Sequence, residues 1–187
     1  MKITQMLLTK GKPARNGEKF HRPVDSIIIH WIGPYPGQVV STPRNWWENG
    51  NSVTGETDGT GVRASAHFII KDADVIQTLP LDEIGLHSGD TRNFHSIGIE
   101  VIPMNKEGEF SKHTIDTLRA VIKYIRQETG LDLSLERHYD GIQRKDCPRF
   151  YTPLSEVITK EEQYNNVEMK GEERWEYLKA YLNDWKR

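Results

Sequence analysis

"SIIIHWI", residues 26–32, is the stretch that decides the fold. Three consecutive isoleucines lead into His30, with no polar residue alternating between them. A strand with one solvated face alternates apolar and polar positions, so this unbroken β-branched run suits a central strand covered on both faces. It stops at Gly33-Pro34, a pair that ends regular structure. A strand covered on both sides requires a sheet with helices packed on it.

The elements that follow supply those layers. "STPRNWWENG", residues 41–50, offers Ser41 or Thr42 as a cap, Pro43 early and Asn49-Gly50 as a stop. That spacing predicts a helix of about two turns carrying Trp46 and Trp47. Residues 50–63 hold four glycines among Ser, Thr, Asn and Asp and read as a loop. "RASAHFIIK" and "DVIQTLP", separated by Asp72-Ala73, read as a hairpin, and "SIGIEVIP", residues 96–103, as a further strand stopped by Pro103. From Ser111 to Thr129, Ile115, Leu118, Ile122 and Ile125 recur at helical spacing, and Gly130 stands at the C-cap position. Trp175, Leu178, Leu182 and Trp185 form a second helical stripe. The order predicts an α/β (α+β) domain with a mixed central sheet flanked by helices. Residues 1–23 read as a lead-in segment, irregular over the Gly- and Pro-containing stretch 10–24, residues 24–153 as the main domain, and residues 154–187 as an extension with one helix packed on it.

Composition narrows the function classes. A length of 187 residues favours one main domain, and a net charge of -2 gives no general attraction to nucleic acid or anionic membrane. No stretch approaches the roughly 20 apolar residues of a membrane span, and the N-terminus lacks a secretory apolar run. Synthesis in the cytoplasm without a signal peptide is the expectation. The single cysteine, Cys147, excludes an intrachain disulfide.

That cysteine sits in "RHYDGIQRKDCPRF", residues 137–150, beside Lys145 and Asp146 and nine residues after His138. Taken singly, Cys147 reads as a buried thiol, His138 as a loop histidine and His30 as a strand-end histidine. Together, two imidazoles and one thiolate make a tetrahedral zinc site with one position open to water, the arrangement of catalytic rather than structural zinc. Lys145 and Cys147 are two apart, so an extended segment turns both to one face, where the ammonium can stabilise a developing oxyanion. In "SIGIEV", Ile97, Ile99 and Val101 share the core face, which turns Glu100 to the other side above the small Gly98. A carboxylate on such a strand is costly unless paired or in use. A salt-bridged edge glutamate is the alternative.

The set "SIIIHWIG", "ASAHFIIKDADVIQ", "GLHSGD", "NFHSIGIEV" and "RHYDGIQRKDCP" resembles the zinc-dependent N-acetylmuramoyl-L-alanine amidases of the phage-lysozyme and peptidoglycan-recognition-protein superfamily, over roughly residues 24–153. The resemblance implies one zinc per chain held by His30, His138 and Cys147. It puts the acidic catalytic residue at Glu100 and the catalytic lysine at Lys145. Where some members carry a tyrosine before the histidine of "HF", this chain has Ala66, which leaves water activation to Glu100. His87 and Asn93 match substrate contacts on the cleft rim, Trp46 is a further candidate contact, and His67 matches a position read as structural. The implied substrate is bacterial cell-wall peptidoglycan, cut between muramic acid and L-alanine. The lack of a secretory run favours a phage or prophage endolysin over a bacterial autolysin exported by another route, and a monomer is favoured. A non-catalytic peptidoglycan-binding module and a cysteine-nucleophile peptidase are the alternatives.

Overall fold

The computed structural model describes residues 2–33, 35–49, 63–165 and 169–184. The loop expected over 50–63, apart from Arg63, and Trp185 of the C-terminal stripe lie outside the described residues.

The strands are β1 (Ile3–Gln5), β2 (Ser26–Trp31), β3 (Phe68–Lys71), β4 (Asp74–Gln77), β5 (Ser96–Val101) and β6 (Ser134–Arg137). They form one sheet in the order β1-β4-β3-β5-β2-β6. Only the β3–β4 hairpin is antiparallel, and β2 lies between β5 and β6, parallel to both. Residues 26–30 are fully buried, as the unbroken apolar run predicts.

The pleat divides the core in two. Ile27, Ile29, Ile97, Ile99 and Val101 face helix α2 (Lys112–Thr129) and α5 (Gly171–Asn183). On the other face Ile69 and Ile76 pack with Trp47 of α1 (Ser41–Glu48) and with Leu8 and Ala14 of the N-terminal segment. Helix α2 begins where Ser111 accepts the Thr114 N–H at 3.1 Å and ends at Gly130 with φ +68°. A side chain with a Cβ rarely takes that left-handed conformation.

Three details depart from the expectations. Ahead of the stretch 10–24 read as irregular, Ile3–Gln5 adds an unanticipated edge strand, β1, parallel to β4. Residues 154–187 supply two helices rather than one, α4 (Lys160–Asn165) and α5. Helix α1 starts at Ser41, so the cap position falls to Val40, which makes no side-chain cap bond. Strand β6 carries only Leu135 as an apolar residue inside it, and it forms because its backbone completes the open side of β2.

Candidate metal centre

His30, Glu100 and His138 all lie at the carboxyl ends of parallel strands, the end at which open α/β sheets bind ligands. His30 and Glu100 are register partners on β2 and β5. Ile29 pairs with Arg137, the last residue of β6, and the one-turn helix α3 (His138–Gly141) starts immediately after it. His138 therefore emerges beside His30. Cys147 reaches the same point from the following loop, whose carbonyl at Cys147 accepts the Tyr139 N–H at 3.0 Å.

The three donor atoms lie within 4.8 Å of one another. His30 Nδ1 stands 3.2 Å from His138 Nδ1 and 3.7 Å from Cys147 Sγ. Tetrahedral zinc bound by nitrogen and sulfur at its usual distances requires about 3.3 Å between nitrogens and about 3.6 Å between nitrogen and sulfur. The cluster fits a metal ion and is compatible with zinc.

The ring hydrogen bonds favour that fit. His87 Nε2 faces the Ser96 carbonyl at 3.4 Å. A carbonyl only accepts, so His87 Nε2 carries the proton and its Nδ1 is bare. His87 Nδ1 lies 3.1 Å from His30 Nε2, which must then donate. His30 Nδ1 is left with its lone pair directed at His138 and Cys147. Burial lowers the pKa of His30 well below the ordinary imidazole value, lowers that of His138, and lowers that of His87 to about 3. Neutral imidazole is the form that binds metal.

Glu100 is half-buried with no hydrogen bond or ion pair among the described residues. Burial alone pushes its carboxyl up to about 8. A cation in the cluster opposes that shift and favours the carboxylate. Burial, and then the charge of Glu100, push the Cys147 thiol upward. That environment does not activate a nucleophilic cysteine, which needs a lowered pKa. Lys145 is exposed, and its charge acts on both His138 and Cys147.

Among the other candidates, His87 departs from its expected place at the cleft rim. It is 9% exposed and lies under His30, in space that Gly98 leaves clear. The signal was the glycine itself, since glycine inside a strand often marks a close approach. Asn93 Oδ1 accepts from the His87 and Ser88 N–H groups at 2.9 and 2.8 Å, so it shapes that loop. Asn93 also lines a groove of about 490 Å³ with Lys12, Asn16, Arg63, Leu86 and Gly89. Trp46 is 44% exposed on α1, whereas Trp47 is core. His67 is structural: its Nδ1 accepts the Gly98 N–H at 3.1 Å and its Nε2 meets the Glu83 carbonyl at 2.8 Å.

Arg92 was not legible as part of the site. Its guanidinium donates to the carbonyls of Arg137 and His138 at 3.1 and 3.0 Å and pairs with Asp90. It passes over Gly141, where a Cβ would fall 2.0 Å from its Cζ. No spacing in the sequence links residue 92 to residue 141.

Residues 20–150 match the description of the N-acetylmuramoyl-L-alanine amidase family. The chain belongs to that family. Two curated relatives from Bacillus subtilis (strain 168) carry the same name. BlyA is 27% identical over 167 residues, which is 78% of this chain and 42% of that protein. CwlH is 36% identical over 89 residues, 46% of this chain and 35% of that protein. The chain thus spans less than half the length of the curated relatives it matches. The solved catalytic domain of XlyA aligns with a TM-score of 0.66 at 22% identity, covering 98% of this chain and 100% of that one, which establishes the shared fold. No described helix is long and apolar enough to cross a membrane.

Proposed function

We propose that this chain is a zinc-dependent peptidoglycan hydrolase. It cleaves the amide between N-acetylmuramic acid and the L-alanine of the stem peptide, and it acts on the cell wall as a phage or prophage endolysin. Residues 24–153 form the catalytic domain and residues 154–187 its extension. The observation that carries the reading is the His30, His138 and Cys147 triangle, at spacings suited to zinc, with the unpaired carboxylate Glu100 beside it in the sheet.

His30, His138 and Cys147 would hold one zinc ion, which would supply Lewis-acid chemistry for the amide carbonyl and lower the pKa of water toward neutral pH. Glu100 takes a proton from the attacking water at its carboxylate and delivers it to the leaving L-alanine nitrogen. Lys145, exposed at the same loop as Cys147, places a positive charge near the developing oxyanion. His87 holds His30 in the tautomer whose Nδ1 is free. Asn93 orders the loop carrying His87 and, with Lys12 and Arg63, lines a groove suited to the stem peptide. Trp46 offers an exposed apolar surface for a sugar ring.

The direct test is mass spectrometry of muropeptides from purified peptidoglycan treated with the protein, with chelator and with zinc restored. Release of glycan strands from intact stem peptides beginning at L-alanine, lost with chelator and regained with zinc, is the expected result. Cleavage within the stem peptide, or activity indifferent to chelator, contradicts the proposal.

A further inference from the structure

Two of the three ligand positions lie on segments that the sheet alone does not secure. His30 is held inside β2 between two parallel neighbours. His138 follows β6, the four-residue strand at the sheet edge. Cys147 sits in a loop with no strand or helix of its own. Both of these segments are fastened to the first turn of α5.

The first fastening runs through Arg137, the residue before His138. Arg137 is 3% exposed, and its guanidinium donates to the Tyr151 carbonyl at 2.7 Å and to Asp140 at 2.6 and 3.0 Å. Glu172 of α5 completes the set, accepting from Nη1 at 2.9 Å and Nη2 at 3.2 Å, while the ring centroid of Trp175 on the same helix lies 5.2 Å from the guanidinium carbon. The second fastening runs through Thr152. Its hydroxyl donates to Asp146 Oδ1 at 2.5 Å, next to Cys147. Gly171, the first residue of α5, sits so close to Thr152 that a Cβ would fall 1.8 Å from the Thr152 carbonyl oxygen. One helical turn therefore contacts Arg137, the neighbour of His138, directly and reaches Asp146, the neighbour of Cys147, through Thr152.

We infer that α5 is a strut for the metal cluster, with Glu172 and Thr152 as positioning residues that set His138 and Cys147 relative to each other. The inference rests on the metal-site reading above and adds a role for the C-terminal helix beyond stability. A buried Arg137 without Glu172 keeps Asp140, Tyr151 and the face of Trp175 but loses the bidentate ion pair that fixes its angle to the helix. Bidentate guanidinium–carboxylate pairing fixes geometry as well as attraction. Groups hydrogen-bonded directly to metal ligands typically change metal affinity 10- to 100-fold when removed; Glu172 and Thr152 act one residue away, through Arg137 and Asp146, which places them at the lower end.

The experiment uses the full chain and the variants Glu172→Ala, Glu172→Gln and Thr152→Val, with Glu176→Gln as control. Glu176 lies on the same helix, is exposed and pairs with Lys179 at 2.6 Å. Zinc dissociation constants are measured by competition with a chromophoric chelator. The thiolate-to-cobalt absorption band is recorded on the Co²⁺-loaded protein, and melting temperature on the metal-free protein. The expected result is zinc binding weaker by about 10-fold in each positioning variant, a displaced cobalt band, and neither change in the control. Glu172→Gln carries the test if Glu172→Ala does not fold. Wild-type zinc affinity and cobalt spectrum in the Glu172 and Thr152 variants, with only the melting temperature lowered, overturn the strut. A wild-type chain that binds no zinc, or a Cys147→Ser variant that binds it equally well, overturns the metal-site reading itself.

Discussion

Gly98→Ala should disable the metal centre without touching a ligand. A Cβ built at Gly98 falls 2.5 Å from His87 Cγ, 2.6 Å from Cδ2 and 2.9 Å from Nδ1. Carbon atoms in contact sit at about 3.5–4.0 Å, so the ring must retreat by about 1 Å or more. It has little room, because a Cβ at Gly85 would already lie 3.1 Å from the same ring and His67 packs beside it. The 3.1 Å bond that His30 Nε2 donates to His87 Nδ1 then stretches past hydrogen-bond range. Without that acceptor, the proton on His30 is no longer held at Nε2, and zinc must compete with it at Nδ1. Affinity should fall by roughly 10- to 100-fold, the usual cost of losing a ligand's orienting partner. Overpacking should also cost about 1–3 kcal/mol of stability. Zinc competition titration reads the first effect and thermal melting of the metal-free protein reads the second. A Gly98→Ala protein that melts lower yet binds zinc as tightly as the parent would falsify the His87 argument.

Other outcomes follow from the same geometry. Cys147→Ser should lose zinc and nearly all wall-lysing activity, measured by metal analysis and turbidity decrease; retained zinc with full lysis contradicts its assignment as a ligand. Glu100→Gln should keep zinc while slowing muropeptide release by roughly two to four orders of magnitude, and Lys145→Ala should likewise slow turnover with zinc retained. Near-parental rates in either variant remove that residue from the mechanism. Glu48→Gln should reduce stability at neutral pH and lose its effect in acid. Burial of Glu48, which alone raises its pKa, is outweighed by the Thr9 N–H, Lys12 and Arg44, which hold it at about 2. Its folded-state pKa is depressed, so its stabilisation is present above the ordinary value near 4.5 and disappears as pH falls toward 2. The gap in melting temperature between parent and Glu48→Gln should therefore close between pH 5 and pH 2.5; a constant gap refutes the assignment.

The sequence by itself determined those features that repeat locally. An unbroken apolar run specified the buried strand β2, the spacing of Leu118, Ile122 and Ile125 specified α2, and alternation in "SIGIEV" separated Ile97, Ile99 and Val101 from Gly98 and Glu100. Each is a short-range pattern, because a strand or helix face is read within a few residues. The candidate donors His30, His138 and Cys147, which the fold brings within 4.8 Å of one another, were also legible, as zinc chemistry limits the side chains that can serve. Only the tertiary structure decided what stands behind them. Residue 87 lies under residue 30, residue 92 crosses residue 141, and residue 172 grips residue 137 through pairings that no local period encodes. Strand β6 likewise exists because β2 has a side to pair, not because its own four residues favour extension. Such contacts join segments tens of residues apart and are selected by the shape of the packed chain, so they appear only once the chain is folded.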